Sequence, residues 1–301
     1  MKGMKLSMRM REALVGYGFV LIWIIGFIVF TLYPLVRTFL FSFHSVKATT
    51  SGIKMSWVGL DNYRNAFFTD VTFSDKLFTY VSQMVVYVPV IIVFALIAAM
   101  LLNTKIKGRG IFRTIYFLPV IITSGPVVKQ LMDQGATSLP GIDQVLTLEQ
   151  IEQSLPSFFA KIVLFLVSSF ITILWFSGVQ ILIFIAGLQK IDGSMMEAAS
   201  IDGASKWEIF WKLTLPALNP FIVINIVYTV IMQSIFALNP IIELIQTDMY
   251  ATGLGIGYAS ALAWIYFVVL LIILGFFVLI TAHREPRVKP LYPTKKRRDR
   301  R

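Results

Sequence analysis

Long apolar runs alternate with short polar stretches along the whole chain. Taken by run length, six segments are predicted to cross a membrane, at about 14–40, 80–102, 111–132, 162–187, 217–240 and 260–282. A helix needs ~20 apolar residues to cover ~30 Å of hydrocarbon, and these runs meet that length. Pro34, Pro89, Pro119, Pro126 and Gly178 fall inside them, which lipid tolerates where neighbouring helices re-satisfy the backbone. The expected fold class is an all-α polytopic membrane protein, with one transmembrane domain over residues 1–301. The first run has a basic start, as a secretory signal does. It continues apolar from Leu14 to about Leu32 with no small-residue cleavage site after it, so it is expected to stay as the first anchor.

The polar interruptions carry the orientation. Lys2, Lys5, Arg9 and Arg11 precede the first run, and Lys105, Lys107, Arg109 and Arg113 lie between the second and third. Lys190, Lys206 and Lys212 lie between the fourth and fifth, and the segment 283–301 is densely basic. Most of the 27 Lys and Arg residues thus fall on one side. The excess of cations marks the cytoplasm, which predicts both termini cytoplasmic. The connections at about 41–79, 133–161 and 241–259 then face outward. The middle one holds Leu146, Leu148, Ile151 and Leu155 in an amphipathic piece, expected along the outer interface or capping the bundle.

Composition agrees and excludes several classes. Hydrophobic residues make up 57% and charged residues 14%, where a soluble domain carries about a quarter charged. There are no cysteines and two histidines, His44 and His283, so disulfides, thiolate chemistry and metal sites are not expected. The net charge of +11 is read as topology and as attraction of the basic tail to anionic membrane lipid, with no nucleic-acid partner. Lys129, near the outer end of the third run, reads as a lysine snorkelling to the interface in preference to an anchor for an acidic sugar.

The most structured interruption is IDGSMMEAASIDGASKWEIFWKLTLPAL, residues 191–218. Ser194 is followed three residues on by Glu197, and Ser205 by Glu208; each spacing fits a capping box at a helix start. The pattern predicts two short helices, about 195–201 and 206–213, bent at Asp202-Gly203-Ala204. Trp207, Phe210 and Trp211 fall on one side of the second. Lys212 at its end suits the helix dipole, and Pro216 is expected in the first turn of the fifth span. One reading of this segment is an amphipathic loop lying at the interface. The other is a rigid plug for a socket on another protein, since two capped helices and a fixed bend exceed what a membrane-lying loop needs. In the fifth run, Asn225, Tyr228, Thr229, Met232, Phe236 and Asn239 recur at helical steps on one face, with Gln233 and Ser234 at its edge. Amides in hydrocarbon are costly without partners, so this face is expected to point into the bundle.

EAASIDGASKWEIFWKLTLP resembles the EAA loop of ABC-importer permease subunits: Glu-Ala-Ala, a glycine a few residues later and a closing proline. YPLVRTFLFSF, WVGLDNYRNAF, FRTIYFLP and GYASALAW are similar to stretches of binding-protein-dependent sugar permeases of the maltose type. The resemblance covers nearly the whole chain. It implies the six-helix fold of a type I ABC importer permease, a coupling loop at 188–216 and a basic cytoplasmic tail at 283–301. The implied setting is a bacterial cell membrane. The implied partners are a second homologous permease subunit, two ATP-binding subunits and an extracellular solute-binding protein.

By position, Glu197, Ala198, Ala199, Asp202, Gly203, Ala204 and Phe210 match the ATPase-coupling region. Asn225, Tyr228, Met232, Gln233, Phe236 and Asn239 are the expected substrate path, with amides for sugar hydroxyls and rings for a pyranose face. Where some maltose-type subunits carry a large outer domain, this chain has only the 133–161 connection. No G-x-x-x-x-G-K-[ST] segment is present, so no cofactor is expected on the chain and ATP is expected on its partners. Two other classes compete. A secondary transporter of a small polar solute needs intramembrane acids, and none lies deep in the six runs. A membrane enzyme needs convergent acids or a metal motif, and no D-x-D or H-E-x-x-H occurs.

Overall fold

The structure is a computed structural model that describes residues 8–49, 52–104, 110, 114, 130, 156, 169–236, 239–251 and 254–282. The predicted third span, Lys129, the outer connection at 133–161 and the basic tail lie outside the described residues, apart from the isolated positions named. The described chain is mostly helical. Its elements are α1 (Met8–Phe27), α2 (Tyr33–Ser42), β1 (His44–Thr49), β2 (Gly52–Trp57), α3 (Asp61–Phe68) and α4 (Val71–Asn103), followed by α5 (Phe170–Leu188) and α6 (Gly193–Ile201). Then come α7 (Lys206–Ile209), α8 (Leu215–Ala217), α9 (Asn219–Ser234), α10 (Pro240–Tyr250) and α11 (Gly255–Ala282).

Among the described residues, three helical segments are long and apolar enough to cross a membrane: Met8–Ser42, Val71–Asn103 and Gly255–Thr281. Two further spans are reached if each bent pair is one: Thr172–Leu188 with Gly193–Ile201, bent by 66°, and Lys206–Ala217 with Asn219–Ser234, bent by 62°. Prolines shape these helices in a shared way. A single π turn, Ile28–Leu32, joins α1 to α2 two residues ahead of Pro34, and a second, Phe210–Thr214, precedes Pro216 by the same interval. A proline ring collides with the carbonyl four residues back, and a widened turn at that point relieves the crowding.

The chain divides into two compact units, one holding residues up to Tyr80 with Pro240–Val269, the other Val81–Asn239 with Leu270 onward. In the first unit, β1 and β2 pair antiparallel from His44↔Trp57 to Thr49↔Gly52. Phe43 stacks on Trp57 at 5.9 Å between centroids, and Asn62 donates to the carbonyls of Ser42 and His44 at 2.8 and 3.1 Å. Asp70 caps the start of α4 by accepting from the Phe73 amide at 2.9 Å, while its other oxygen accepts from the Tyr258 hydroxyl at 2.8 Å. The start of α11 lies hard against β1. A Cβ at Gly257 would run into the His44 carbonyl oxygen, and one at Gly255 would sit 2.7 Å from that of Val46.

In the second unit, α5 and α9 pack closely. A Cβ on Gly187 would sit 2.8–2.9 Å from Phe221 and Leu218, so the α5 terminus requires a residue without a side chain there. Ile91, Ile173 and Phe176 form a buried cluster, flanked by Tyr87, Val90, Phe94, Met232 and Phe236. In lipid such a cluster is held by van der Waals fit, since acyl chains solvate apolar groups equally well.

Candidate functional site

The polar insert folds as two short helices with a fixed bend, as its pattern predicts. The first differs in its start. Asp192, not Ser194, is the N-cap of α6, and its carboxylate accepts from the Ser194 amide at 2.9 Å. The Ser194–Glu197 capping box is therefore not formed. Asp192 precedes Ser194 and takes the amide first, which moves the helix start two residues earlier than predicted. That hydrogen bond holds the Asp192 carboxyl below its ordinary pKa. The second box is formed: Glu208 donates its amide to Ser205 Oγ at 3.2 Å, and its carboxylate accepts from the Ser205 amide at 3.0 Å. Lys212 Nζ lies 3.1 Å from Glu208 Oε1. The Ser205 amide first, then Lys212, draws the Glu208 carboxyl down to about 2.

The bend is a helix stop with a defined mechanism. Gly203 has φ +85°. Its amide donates to the Ser200 carbonyl at 3.2 Å, and the Ala204 amide reaches back to Ala199 at 3.0 Å. This pair of backward bonds with a left-handed glycine just past the helix is the Schellman stop. No atom lies within 4 Å of where a Gly203 Cβ would be, so within this chain the glycine is required by backbone conformation and not by crowding.

Of the coupling residues, Glu197, Ala198, Asp202 and Gly203 are exposed, while Ala199, Ala204 and Phe210 are half-buried. Trp207 and Trp211 meet edge-on at 5.4 Å, with Phe210 at 5.2 Å from Trp211. The second helix runs past its predicted end, because α7, the π turn Phe210–Thr214 and α8 follow without a break to Ala217, the π turn making room for Pro216. The fifth span then begins anew at Asn219 after a break at Leu218.

The stripe on α9 separates by depth. Asn225 and Thr229 are fully buried. Thr229 Oγ1 donates to the Asn225 carbonyl at 2.7 Å and accepts from Gln180 Nε2 on α5 at 2.9 Å. Both side-chain polar atoms of Asn225, and Oε1 of Gln180, are buried without a hydrogen-bond partner. Further along α9, Met232 and Phe236 pack against the Ile91–Ile173–Phe176 cluster, with Phe236 5.1 Å from Phe176. Gln233 is buried, Tyr228 half-buried, and Asn239 donates to the Ser234 carbonyl at 2.9 Å, closing the end of α9. Sequence reasoning missed Gln180. Its signal is a lone amide in the otherwise apolar run WFSGVQILIFIA, on the helix facing Thr229. No group of three or more His, Cys, Asp or Glu is placed to hold a metal among the described residues.

Comparison with known proteins places these features. Residues 68–289 match the family model described as binding-protein-dependent transport system inner membrane component. The chain is 33% identical over 290 residues to the probable ABC transporter permease protein YesP of Bacillus subtilis, covering 90% of each. It is 30% identical to the multiple sugar-binding transport system permease protein MsmF of Streptococcus mutans, over 85% of this chain and 91% of that one. It is 29% identical to the trehalose/maltose transport system permease protein MalF of Thermococcus litoralis, covering 73% and 74%. A chain from the crystal structure of a bacterial ABC transporter that imports the acidic polysaccharide alginate has the same fold, with TM-score 0.62 at 22% identity, over 91% of this chain and 96% of that one. With its bent, capped polar insert between membrane helices and its match over residues 68–289, the chain belongs to the inner-membrane permease components of binding-protein-dependent transport systems.

Proposed function

We propose that this chain is one permease subunit of an ATP-driven carbohydrate importer, supplying half of the translocation path. Six spans with both termini cytoplasmic complete the fold. A second, homologous permease subunit supplies the other half, two ATP-binding subunits dock from the cytoplasm, and a solute-binding protein delivers substrate from outside. The observation that carries the coupling role is the insert itself. A helix stopped by a left-handed glycine is followed by a helix whose start is fixed by a capping box, so the bend between them is set by hydrogen bonds within the insert. Its exposed Glu197, Ala198, Asp202 and Gly203, with Ala199, Ala204 and Phe210 beneath, form the docking face for the ATP-binding subunit. An interfacial loop gains nothing from such rigidity.

Carbohydrate as the substrate class is supported by relatives whose names specify sugars, and by the chemistry of α9. Tyr228, Met232, Gln233, Phe236 and Asn239, with Asn225 deeper in, line the path in the transporting state. Amides there bond hydroxyls and rings stack on a pyranose face. The test is uptake of a panel of radiolabelled sugars by cells expressing the whole transporter. Tyr228→Ala and Gln233→Ala should change which sugars pass or lower uptake, with the assembled complex still recovered at wild-type yield. Loss of assembly with unchanged selectivity would make these residues packing groups and remove them from the path.

A further inference from the structure

With orientation and partner taken from the reading above, we propose that the free edge of the β1–β2 hairpin docks the solute-binding protein by accepting an extended acidic segment as a third strand. The ladder fixes which backbone groups are available. The Val58 amide donates to the Phe43 carbonyl at 3.0 Å, so the pairs Ser45↔Ser56 and Lys47↔Lys54 exchange hydrogen bonds across the hairpin. The alternate pairs, His44↔Trp57, Val46↔Met55 and Ala48↔Ile53, aim their backbone groups out of its two edges.

On β1 that edge is answered. His44 O accepts from Asn62, and both it and Val46 O are covered by the glycine-rich start of α11. On β2 it is open. All six residues from Gly52 to Trp57 are exposed, and no hydrogen bond to the outward backbone groups of Ile53, Met55 or Trp57 occurs among the described residues. Such an edge is a template for strand addition, where main-chain bonds give affinity and alternate side chains give selectivity.

The side chains specify the occupant. Lys47 and Lys54 stand directly opposite each other on one face, an arrangement that is destabilising in a hairpin, and neither is in an ion pair among the described residues. An acid on an incoming strand beside Lys54 relieves that repulsion. The opposite face offers Ile53 and Trp57, each 68% exposed, and Met55, 49% exposed, as apolar contact. A phospholipid headgroup supplies the anion but not a ladder of alternating donors and acceptors. The open edge therefore favours a polypeptide strand. The hairpin belongs to the 41–79 connection, which faces outward in the proposed orientation, where the solute-binding protein approaches.

Two variants separate docking from folding. Lys54→Glu places an opposite charge across from Lys47 and so steadies the hairpin while repelling an acidic strand. Met55→Pro removes an outward amide without removing a ladder bond. Binding of the cognate solute-binding protein to the complete transporter in nanodiscs is measured for each, in zwitterionic and in anionic lipid. Lys54→Glu should weaken binding roughly fivefold to tenfold at low salt, with an unchanged or raised melting temperature. Met55→Pro should weaken binding with little salt dependence, and ATP hydrolysis without binding protein should match wild type. Wild-type affinity in both variants would overturn the proposal. So would a defect seen only in anionic lipid, which would make the hairpin a membrane contact. If the wild-type transporter binds no solute-binding protein at all, the importer reading fails together with this one.

Discussion

Gly203 gives the sharpest single perturbation, because its surroundings isolate one cause. Its φ of +85° is reached by a residue with a Cβ only at a cost of about 1–2 kcal/mol, and no neighbouring atom would obstruct a side chain there. Gly203→Ala and Gly203→Leu should therefore strain the isolated loop alike, and Gly203→Asn, which tolerates the left-handed region, should strain it less. A penalty of that size lowers the ratio of bent to unbent loop about 5–30-fold. Where docking requires the bent form, the apparent affinity for the ATP-binding subunit falls with the bent fraction, by up to that factor. The assay is the amount of ATP-binding subunit retained when the permease is purified from membranes, with sugar-stimulated ATP hydrolysis alongside. Asn should be the mildest, and Ala and Leu similar. Wild-type retention and hydrolysis in Gly203→Leu would refute the coupling role of the bend. Tolerance of Ala with failure of Leu would move the cause from backbone conformation to close approach by the partner.

Three further outcomes follow from the same geometry. Glu197→Lys reverses an exposed charge on the docking face; it should reduce retention of the ATP-binding subunit and coupled hydrolysis while the purified permease pair melts as wild type. Asn225→Leu replaces an amide whose two polar atoms are buried and unpaired. Each such atom costs about 1–3 kcal/mol, so thermal stability should hold or rise while uptake falls, and a loss of stability would show that the amide is satisfied. The Glu208 carboxyl is drawn from 4.5 to about 2 in the folded loop. Its contribution to the cap is complete above pH 4.5 and is lost as pH falls toward 2. Amide-exchange protection at residues 205–208, corrected for intrinsic rate, should decline across that window, and Glu208→Gln should flatten the decline.

Run length and composition disclosed the membrane class, and the spacing of Ser205, Glu208 and Gly203 disclosed the second cap and the bend, because these features are local. Competition between adjacent caps was not visible: Asp192 and Ser194 are both good N-caps, and which takes the amide depends on the backbone entering the helix. Nor was the π turn ahead of Pro216, since the pattern shows where a proline sits but not how the preceding turn absorbs it. On α9 the periodicity of Asn225, Thr229, Met232 and Phe236 placed them on one side, yet could not tell an unpaired amide from rings packed on Phe176. That distinction depends on what α5 and α4 place opposite, as does the pairing of Gln180 with Thr229. The β hairpin escaped notice because its six-residue strands are short and its partner edge is the start of a helix some 200 residues later in the chain.

The central claim is that this chain moves sugar only as part of an ATP-driven assembly, and reconstitution tests it most directly. Proteoliposomes holding the chain alone, and proteoliposomes holding it with its second permease subunit and ATP-binding subunits, are loaded with ATP and offered sugar with the solute-binding protein outside. The account predicts no hydrolysis and no uptake from the chain alone, and sugar uptake that tracks hydrolysis in the complete assembly. Uptake by the chain alone, driven by an ion gradient and indifferent to ATP, would contradict it.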